Sequence, residues 1–372
     1  MDHHRRSRAL VVATLAAALA AALVPGIAAA DSHVTVVAGG LNNPRGVAIA
    51  PNGEIYVAEA GTGGAGPCAP GPEGGEVCLG ATGAVASVSP GHVHRAVTGL
   101  PSLAGADGSA AVGPHKLSFL GQGNLYLTIG LGGDLAARAG FGAGGARLGT
   151  LVRVSVANGK VWGLDDLADH EETADPDGAG ADSNPYGVLA APSGAYSTDA
   201  GGNSLLFTNR SGRTRTVAVF PDRMVAAPPF LGLPPGTQIP MQAVPTGVAR
   251  GADGALYVSQ LTGFPFPVGG STIWRVQPGQ APTAFATGFT NVVDIAADQK
   301  GNLYVVEITA NGLLSGSLAG RLVKVAPNGT QTPLVTSGLV APGGVAVGRD
   351  GAIYVTNGSI FPGGGQLLRI QP

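Results

Sequence analysis

The sequence has few charges and lacks the common catalytic motifs. Only 12% of its 372 residues are charged, with a formal net charge of −2, whereas an average soluble domain has about 25%. It therefore has no basic field that could bind nucleic acid, and we expect no nucleic-acid partner. There is no G-x-S-x-G elbow, P-loop or H-E-x-x-H motif, so hydrolase and nucleotide-binding interpretations lack their usual support.

Glycine and proline, in contrast, are abundant, with 62 and 28 residues. Helix bundles and coiled coils do not tolerate a glycine at every sixth position, and a collagen would need a strict glycine triplet that is absent here. The 44% of hydrophobic residues is enough for a core. This composition predicts an all-β protein of many short strands joined by tight turns.

The N-terminus predicts export. Residues 2–8 (DHHRRSR) are cationic, residues 9–24 are apolar, and an A-x-A site precedes Asp31. This pattern is typical of a secretory signal peptide over residues 1–30, cleaved after Ala30. No other apolar run reaches the roughly 18 residues that a membrane span needs. We therefore expect a secreted protein without a membrane span, with one domain over residues 31–372.

The chain has two cysteines, Cys68 and Cys78, separated by nine residues. In an oxidising compartment this spacing predicts a disulfide that closes a short loop. A metal-binding or nucleophilic role has little support, because no histidine or further cysteine lies nearby in the sequence.

Self-similarity is the most informative feature of the chain. Six segments combine an apolar strand, a tight glycine turn and a second strand with a central tyrosine, and a second hairpin follows most of them. The tyrosines are Tyr56, Tyr126, Tyr196, Tyr257, Tyr304 and Tyr354. Four strands repeated six times predict a six-bladed β-propeller of four-stranded blades. The sixth unit ends after its third strand, so we expect an N-terminal strand near residues 34–38 to complete it and close the ring.

The extra length between repeats predicts a binding face. It occurs only after the second strand of a unit (61–82, 130–147, 261–270, 309–319, 358–364) or between units (164–183, 221–242). In a propeller both kinds of connection emerge on the same face. Insertions restricted to one face are typical of a ligand-binding face.

Polar residues occupy the repeat positions expected around the channel on that face. The first strands contribute Arg45, His115, Tyr186, Thr246 and Asp294, and the ends of the second strands contribute Gln260, Glu59, Asp199, Glu307 and Asn357. Glu59, Asp199, Glu307 and Asn357 offer the oxygen ligands that suit Ca²⁺. The whole set could instead bind a polar small molecule, or these groups could join neighbouring blades by hydrogen bonds to loop amides.

The segment 165–182 (DDLADHEETADPDGAGAD) contains eight acidic residues. It does not match an EF-hand, because the fifth and twelfth positions counted from Asp175 are Ala179 and Tyr186. The sequence favours a solvated acidic loop here, and a Ca²⁺ site of another kind stays open.

Three segments carry a resemblance to a known family. LNNPRGVAIAPNGEIYVAEAG opens the first unit, DSNPYGV opens the third, and TDAGGNSLL follows within it. With the secretory leader, these resemble the ScyD/ScyE family of exported propellers over residues 31–372. The DAGGNSLL segment is also similar to the NHL repeat, and the architecture is more distantly similar to gluconolactonase and streptogramin-lyase propellers. The resemblance implies the propeller fold and no established reaction.

Three functional hypotheses follow. The one we favour is a secreted binding or scaffold module that recognises a small molecule or an extracellular protein, and we expect it to be a monomer. The second is a metal-assisted lyase or lactonase, in which Glu59, Asp199, Glu307 and Asn357 hold a cation and His115 acts as acid or base. The third is a purely structural extracellular protein.

Overall fold

The computed structural model describes residues 33–71 and 74–372. The predicted signal peptide lies outside the described residues. Within the described part of the chain, no helix is long and apolar enough to span a membrane.

Blades 1 to 3 follow one another along the chain after an initial strand, β1 (His33–Leu41). Blade 1 consists of β2 (Pro44–Ile49), β3 (Ile55–Glu59), β5 (Glu76–Ser89) and β6 (His92–Ala104), with a short strand β4 (Cys68–Pro70) paired to β5. Blade 2 consists of β7 (Pro114–Phe119), β8 (Asn124–Ile129), β9 (Thr150–Ser155) and β10 (Val161–Asp166). Blade 3 consists of β11 (Pro185–Ala191), β12 (Gly194–Asp199), β13 (Ser204–Asn209) and β14 (Thr214–Val219).

Blades 4 to 6 complete the ring after an extra hairpin, β15 (Arg223–Ala226) and β16 (Gln238–Met241). Blade 4 consists of β17 (Pro245–Arg250), β18 (Leu256–Gln260), β19 (Ser271–Val276) and β20 (Thr283–Phe289). Blade 5 consists of β21 (Val292–Ala297), β22 (Leu303–Glu307), β23 (Arg321–Val325) and β24 (Gln331–Val335). Blade 6 consists of β25 (Gly344–Val347), β26 (Ile353–Asn357), β27 (Gly365–Gln371) and β1, which runs antiparallel to β27.

The blades are arranged around a central channel. Each first strand packs against the first strand of the next blade, from β2 through β7, β11, β17 and β21 to β25, and β25 packs against β2. The predicted six-bladed propeller of four-stranded blades is confirmed.

Local chemistry explains the hairpins that start each blade. The turns between first and second strands place glycine at positive φ, as at Gly53 (91°) and Gly351 (80°), where a residue with a Cβ is strained. The central tyrosine pairs with the fifth residue of the first strand in blades 1 to 5, and Tyr354 pairs with Ala346 at the equivalent position of blade 6. Tyr196, which lies one residue closer to its turn, keeps this register through its pairing with Leu189. The shorter turn therefore changes the connection and leaves the sheet unchanged.

The apolar core lies between the blades. Inward residues of the second and third strands, such as Val57, Leu127, Val258 and Val355, are fully buried. Sheets buried on both faces leave little room for charge, which explains the low charge content of the chain.

Helices occur only in connections of the described chain. After β8 come α1 (Leu135–Gly140) and a 3₁₀ turn (Gly142–Gly145), and α2 (Leu167–Ala174) joins blades 2 and 3. Two further 3₁₀ turns lie at Pro229–Leu231 and Leu313–Ser315. The connections after the second strands and between blades surround one end of the channel, which we call the loop face. A disulfide between Cys68 and Cys78 joins β4 to β5, as the sequence predicted.

Candidate functional site

A buried ion pair crosses the channel between opposite blades. Lys116 is the third residue of its strand in blade 2, Asp294 is the third residue in blade 5, and the Lys116 ammonium donates to Oδ2 of Asp294. The backbone N–H of Val345 donates to the same oxygen at 2.8 Å. Burial raises the pKa of Asp294, although the charge of Lys116 opposes this shift. The pair therefore links blades 2 and 5 across the channel.

Glycines make room for this ion pair. In the other four blades the equivalent repeat position is a glycine, Gly46, Gly187, Gly247 or Gly344. A Cβ on Gly46 would lie 2.8 Å from Cδ of Lys116, and one on Gly247 would lie 2.6 Å from Oδ1 of Asp294. The channel is thus too narrow at this level for six side chains, and the repeat supplies only two.

Between the ion pair and the loop face lies a cavity of about 340 Å³, which we call the loop-face cavity. Its walls are largely apolar and come from both kinds of loop-face connection. Four of the predicted channel residues line it, namely Arg45, His115, Tyr186 and Thr246. Asp294 lies deeper, in the ion pair, and Gln260 does not line the cavity. Sequence reasoning missed Lys116, although it directly follows His115, and the lining residue Asn184.

Arg45 dominates the electrostatics of the loop-face cavity, because no acidic side chain is among the lining residues. Its Nη2 donates to the Ala111 carbonyl at 2.8 Å. Its Nε and the Tyr186 hydroxyl are buried and have no hydrogen-bond partner among the residues described. Burial raises the pKa of Tyr186 to about 12, with Arg45 opposing the shift, so the phenol stays protonated. The two groups are neighbours, and the Arg45 Nε and the Tyr186 hydroxyl, which make no hydrogen bond of normal geometry, would face a ligand together.

His115 is a neutral wall residue. Its Nδ1 lies 3.0 Å from the Pro185 carbonyl, which can only accept, so Nδ1 carries the proton and Nε2 is an acceptor. The ring packs against Tyr186 at 4.7 Å between centroids. Burial, together with the nearby charge of Arg45, lowers the pKa of His115 to about 3. The hydroxyl of Thr246 is already used, because it donates to the Val292 carbonyl at 2.9 Å.

Glu59 and Glu307 each bind loop backbone and an arginine. Glu307 accepts from the Thr290 N–H at 2.8 Å and from both Nε and Nη2 of Arg321. Glu59 accepts from the Asn42 N–H at 2.7 Å and from Arg95 at 2.8 Å.

Asp199, Asn357 and Gln260 also end second strands. Asp199 accepts from the Asn184 N–H at 2.7 Å, and Asn357 accepts from the Val340 N–H at 2.7 Å. Gln260 accepts from the Trp274 indole at 3.0 Å. Asp199 and Asn357 therefore hold the chain just before the first strand of their own blade, as Glu59 and Glu307 do.

These strand-end residues do not form a metal cluster. Among the described residues, Glu59, Asp199 and Glu307 belong to no group of three acidic, histidine or cysteine side chains with ligand atoms within 4.8 Å of one another. The oxygens of these four residues do not fit one Ca²⁺ ion, because each residue binds the backbone of a different loop. Cys68, Glu76 and Cys78 do form such a group, but both sulfurs are in the disulfide.

A larger depression of about 600 Å³ lies beside the first turns of blades 5 and 6. Its two acidic side chains are already paired: Asp298 accepts from Asn302, and Asp350 accepts from Arg369 at 2.9 Å. The loop-face cavity is the better candidate site, because its buried donors have no partner and its walls are apolar.

No family model matches the chain, and no curated protein matches it. Solved structures with a similar fold include a gluconolactonase from Xanthomonas campestris, with a TM-score of 0.56, 12% identity and coverage of 92% of this chain and 90% of that one. A streptogramin B lyase has a TM-score of 0.50 and 13% identity, and covers 91% and 97%. A Bacteroides thetaiotaomicron protein of unknown function has a TM-score of 0.56 and 10% identity, and covers 91% and 76%. At these identities the likeness shows that the chain shares the propeller fold of these proteins.

Proposed function

We propose that the protein is a secreted binding module that holds a small molecule with an apolar body and an anionic group in the loop-face cavity. The observation that carries the proposal is Arg45, the one charge in the cavity wall, whose Nε is buried without a partner in the described chain. An unpaired buried donor is costly, and a bound anion removes that cost through charge-assisted hydrogen bonds.

The rest of the wall fits such a ligand. The Tyr186 hydroxyl adds a second unpaired donor, and Nε2 of His115 adds an acceptor. Val293, Ile308 and Leu313 supply apolar surface for the body of the molecule. A few polar groups in an apolar cavity of this size are typical of small-molecule sites.

Export is part of the same proposal. The disulfide between Cys68 and Cys78 supports it, because such bonds persist in oxidising compartments. The leader over residues 1–30 has the pattern of a signal peptide. Calcium at the strand-end residues is not part of this proposal, because the ligand atoms of Glu59, Asp199 and Glu307 do not come together in one cluster among the described residues.

The test uses 8-anilinonaphthalene-1-sulfonate, an apolar anion whose fluorescence rises in apolar surroundings. We expect saturable 1:1 binding to the folded protein, at least about tenfold weaker in Arg45→Met, since a charge-assisted bond contributes about 1.5–3 kcal/mol. Arg349→Met is the matched control, because Arg349 is exposed and does not line the cavity. N-phenyl-1-naphthylamine, which lacks the sulfonate, should bind wild type and Arg45→Met equally.

Equal binding of the sulfonate to wild type and Arg45→Met would contradict the proposal, as would no saturable binding to wild type. Urea unfolding of each variant shows whether a loss of binding reflects a loss of the fold.

A further inference from the structure

The acidic segment between blades 2 and 3 is folded, unlike the solvated loop that the sequence favours. Asp165 and Asp166 are the last two residues of β10. Residues 167–174 form α2, with Asp166 as its N-cap. The helix ends at Asp175, which has a left-handed φ of 38°. Two tight turns follow, in which Asp177 accepts from the Ala179 N–H at 2.9 Å and Asp175 accepts from the Gly180 N–H at 3.1 Å. This arrangement brings acids of the helix and the turns together.

Glu171 is the unusual member of the segment. Its side chain is 0% exposed, and neither carboxylate oxygen has a hydrogen-bond partner among the described residues. Oxygens of Glu171, Asp175 and Asp177 lie within 4.8 Å of one another. None of the ion pairs of the described chain involves these three acids. A buried carboxylate without a donor or counter-charge is strongly unfavourable, and a bound cation would remove that cost.

The neighbouring turn of blade 3 is shaped around this carboxylate. A Cβ on Gly202 would lie 2.2 Å from Oε2 of Glu171, so only glycine leaves room for the carboxylate there. Asn203 donates from Nδ2 to Asp177 at 2.8 Å and orients that side chain. The residues that shape the site therefore come from two separate segments, 171–177 and 202–203.

Acidic side chains are the charges that act on Glu171. Burial, followed by the charges of Asp199, Asp177, Asp175 and Asp182, raises the pKa of Glu171 to about 8. Burial also raises the pKa of Asp199 to about 6, against hydrogen bonds from Ser183, Asn184 and Gly202. A divalent cation would relieve this repulsion at several groups at once.

We propose that Glu171, Asp175 and Asp177 bind a calcium ion between α2 and the 199–203 turn. The donors are all oxygens, which excludes the softer metals that prefer histidine or cysteine. Calcium accepts several carboxylates and carbonyls in irregular loops, whereas magnesium usually keeps most of its water and binds one or two carboxylates.

The site would also order the wall of the loop-face cavity. Asp199 lies beside it and accepts from the Ser183 hydroxyl at 2.6 Å and the Asn184 N–H at 2.7 Å. Asn184 and Ala200 both line the cavity. The calcium site and the cavity are nevertheless separate, and neither proposal requires the other.

Equilibrium dialysis of the purified full chain against calcium provides the first test. Wild type should bind one equivalent of Ca²⁺, and Glu171→Gln should bind it at least about tenfold more weakly, because one of three carboxylates is lost. Glu172→Gln is the matched control, since Glu172 is the next residue on the same helix and is exposed. Its affinity should equal that of wild type. Absence of stoichiometric binding, unchanged affinity in Glu171→Gln, or equal affinity for Mg²⁺ would overturn the proposal.

Thermal unfolding provides a second readout that does not depend on the variant being as stable as wild type. Calcium at 100 times its Kd should raise the Tm of wild type by about 4 °C relative to EDTA. Calcium should not raise the Tm of Glu171→Gln, because the variant lacks the buried carboxylate that the ion would bind. A full calcium response in Glu171→Gln would overturn the proposal. Binding of the naphthalene sulfonate is measured separately and decides only the cavity proposal.

Discussion

The channel interior and the two candidate sites at the loop face differ in how buried charge is paired. In the interior, Lys116 is paired with Asp294, and at the end of a second strand Glu307 is paired with Arg321. In the candidate sites, Glu171 has no partner and Arg45 leaves its Nε unpaired, within the part of the chain that the structure describes. All of these side chains are at least partly withdrawn from water, so burial alone does not separate them. The difference lies in whether the chain itself supplies the partner.

This difference indicates which groups hold the ring together and which are available to a ligand. In a buried ion pair each charge already has its partner. Removing one member destabilises the fold, because the other charge is left buried without a counter-charge. A buried group without a partner is a cost to the folded state that a ligand can remove.

The largest expected effect comes from breaking the ion pair of the channel. Lys116→Met should lower the free energy of unfolding by about 3–5 kcal/mol, because it leaves Asp294 charged and buried. The double variant Lys116→Met/Asp294→Asn should recover most of this loss, since the amide can still accept from the Val345 N–H. Urea unfolding measures both. If the single variant lost less than about 1 kcal/mol in the free energy of unfolding, Lys116 and Asp294 would not form the buried ion pair described here.

A smaller effect is expected at the blade end. Glu307→Gln should cost about 2 kcal/mol in urea unfolding, because it removes charge-assisted bonds from Arg321 while the Thr290 N–H can still find an acceptor. The loss should be the same with calcium or EDTA, in contrast to Glu171→Gln. Glu172→Gln, at an exposed position, serves as the control. If calcium changed the loss of unfolding free energy in Glu307→Gln, the paired Glu307 would not differ from the unpaired Glu171 in its response to calcium, which would contradict the comparison.

The loop face should show its own pH dependence through His115. Its pKa is about 3 in the folded protein and about 6.5 in the unfolded chain. The unfolded chain therefore takes up the proton first as the pH falls. The associated stability is complete above pH 6.5 and is lost as the pH falls toward 3, by about 1 kcal/mol between pH 7 and 5.5.

His115→Gln isolates this contribution, because glutamine can donate to the Pro185 carbonyl and does not titrate. Arg45 and Tyr186, which face the ring, carry the same charge throughout this pH range. Urea unfolding at pH 7 and 5.5 should show a smaller decrease in the variant than in wild type. Equal decreases would mean that His115 is protonated in the folded state.

The smallest effect is expected on the surface. Asp350 and Arg369 form a pair at 2.9 Å in which both side chains are more than one-third exposed. Asp350→Asn should change the free energy of unfolding by less than about 1 kcal/mol, since exposed pairs are hydrated and screened. A loss as large as that of Glu307→Gln would show that exposure does not govern the strength of these pairs.

The sequence predicted the fold well, because the fold repeats local chemistry. Glycine turns and central tyrosines recur six times, and each repeat is an independent sign of the same hairpin. Even the displaced Tyr196 keeps the register, as its pairing with Leu189 shows. The connections were less well predicted, since β10 continues to Asp166 and β5 already begins at Glu76. The connections differ from one repeat to the next, so the end of a strand in one repeat cannot be checked against the same position in another.

The candidate site was predicted in part. Arg45, His115 and Tyr186 line the loop-face cavity together because each is the second residue of a first strand. Lys116 was not predicted, because its role depends on its pairing with Asp294, which lies 178 residues away in the sequence. Glu171 was not predicted, because it is one of eight acidic residues in a segment whose composition is typical of a solvated loop.

The repeat of apolar strands and glycine turns is sufficient to establish the ring of blades, since hydrogen bonding and side-chain alternation act between neighbours in the chain. Only the tertiary structure decides which buried polar groups are paired. Glu59 and Glu307 have an arginine within reach, whereas Glu171 is enclosed by a glycine turn that brings no donor. Electrostatic pairing depends on distance in space and on exclusion of water, and both are set by how distant segments pack.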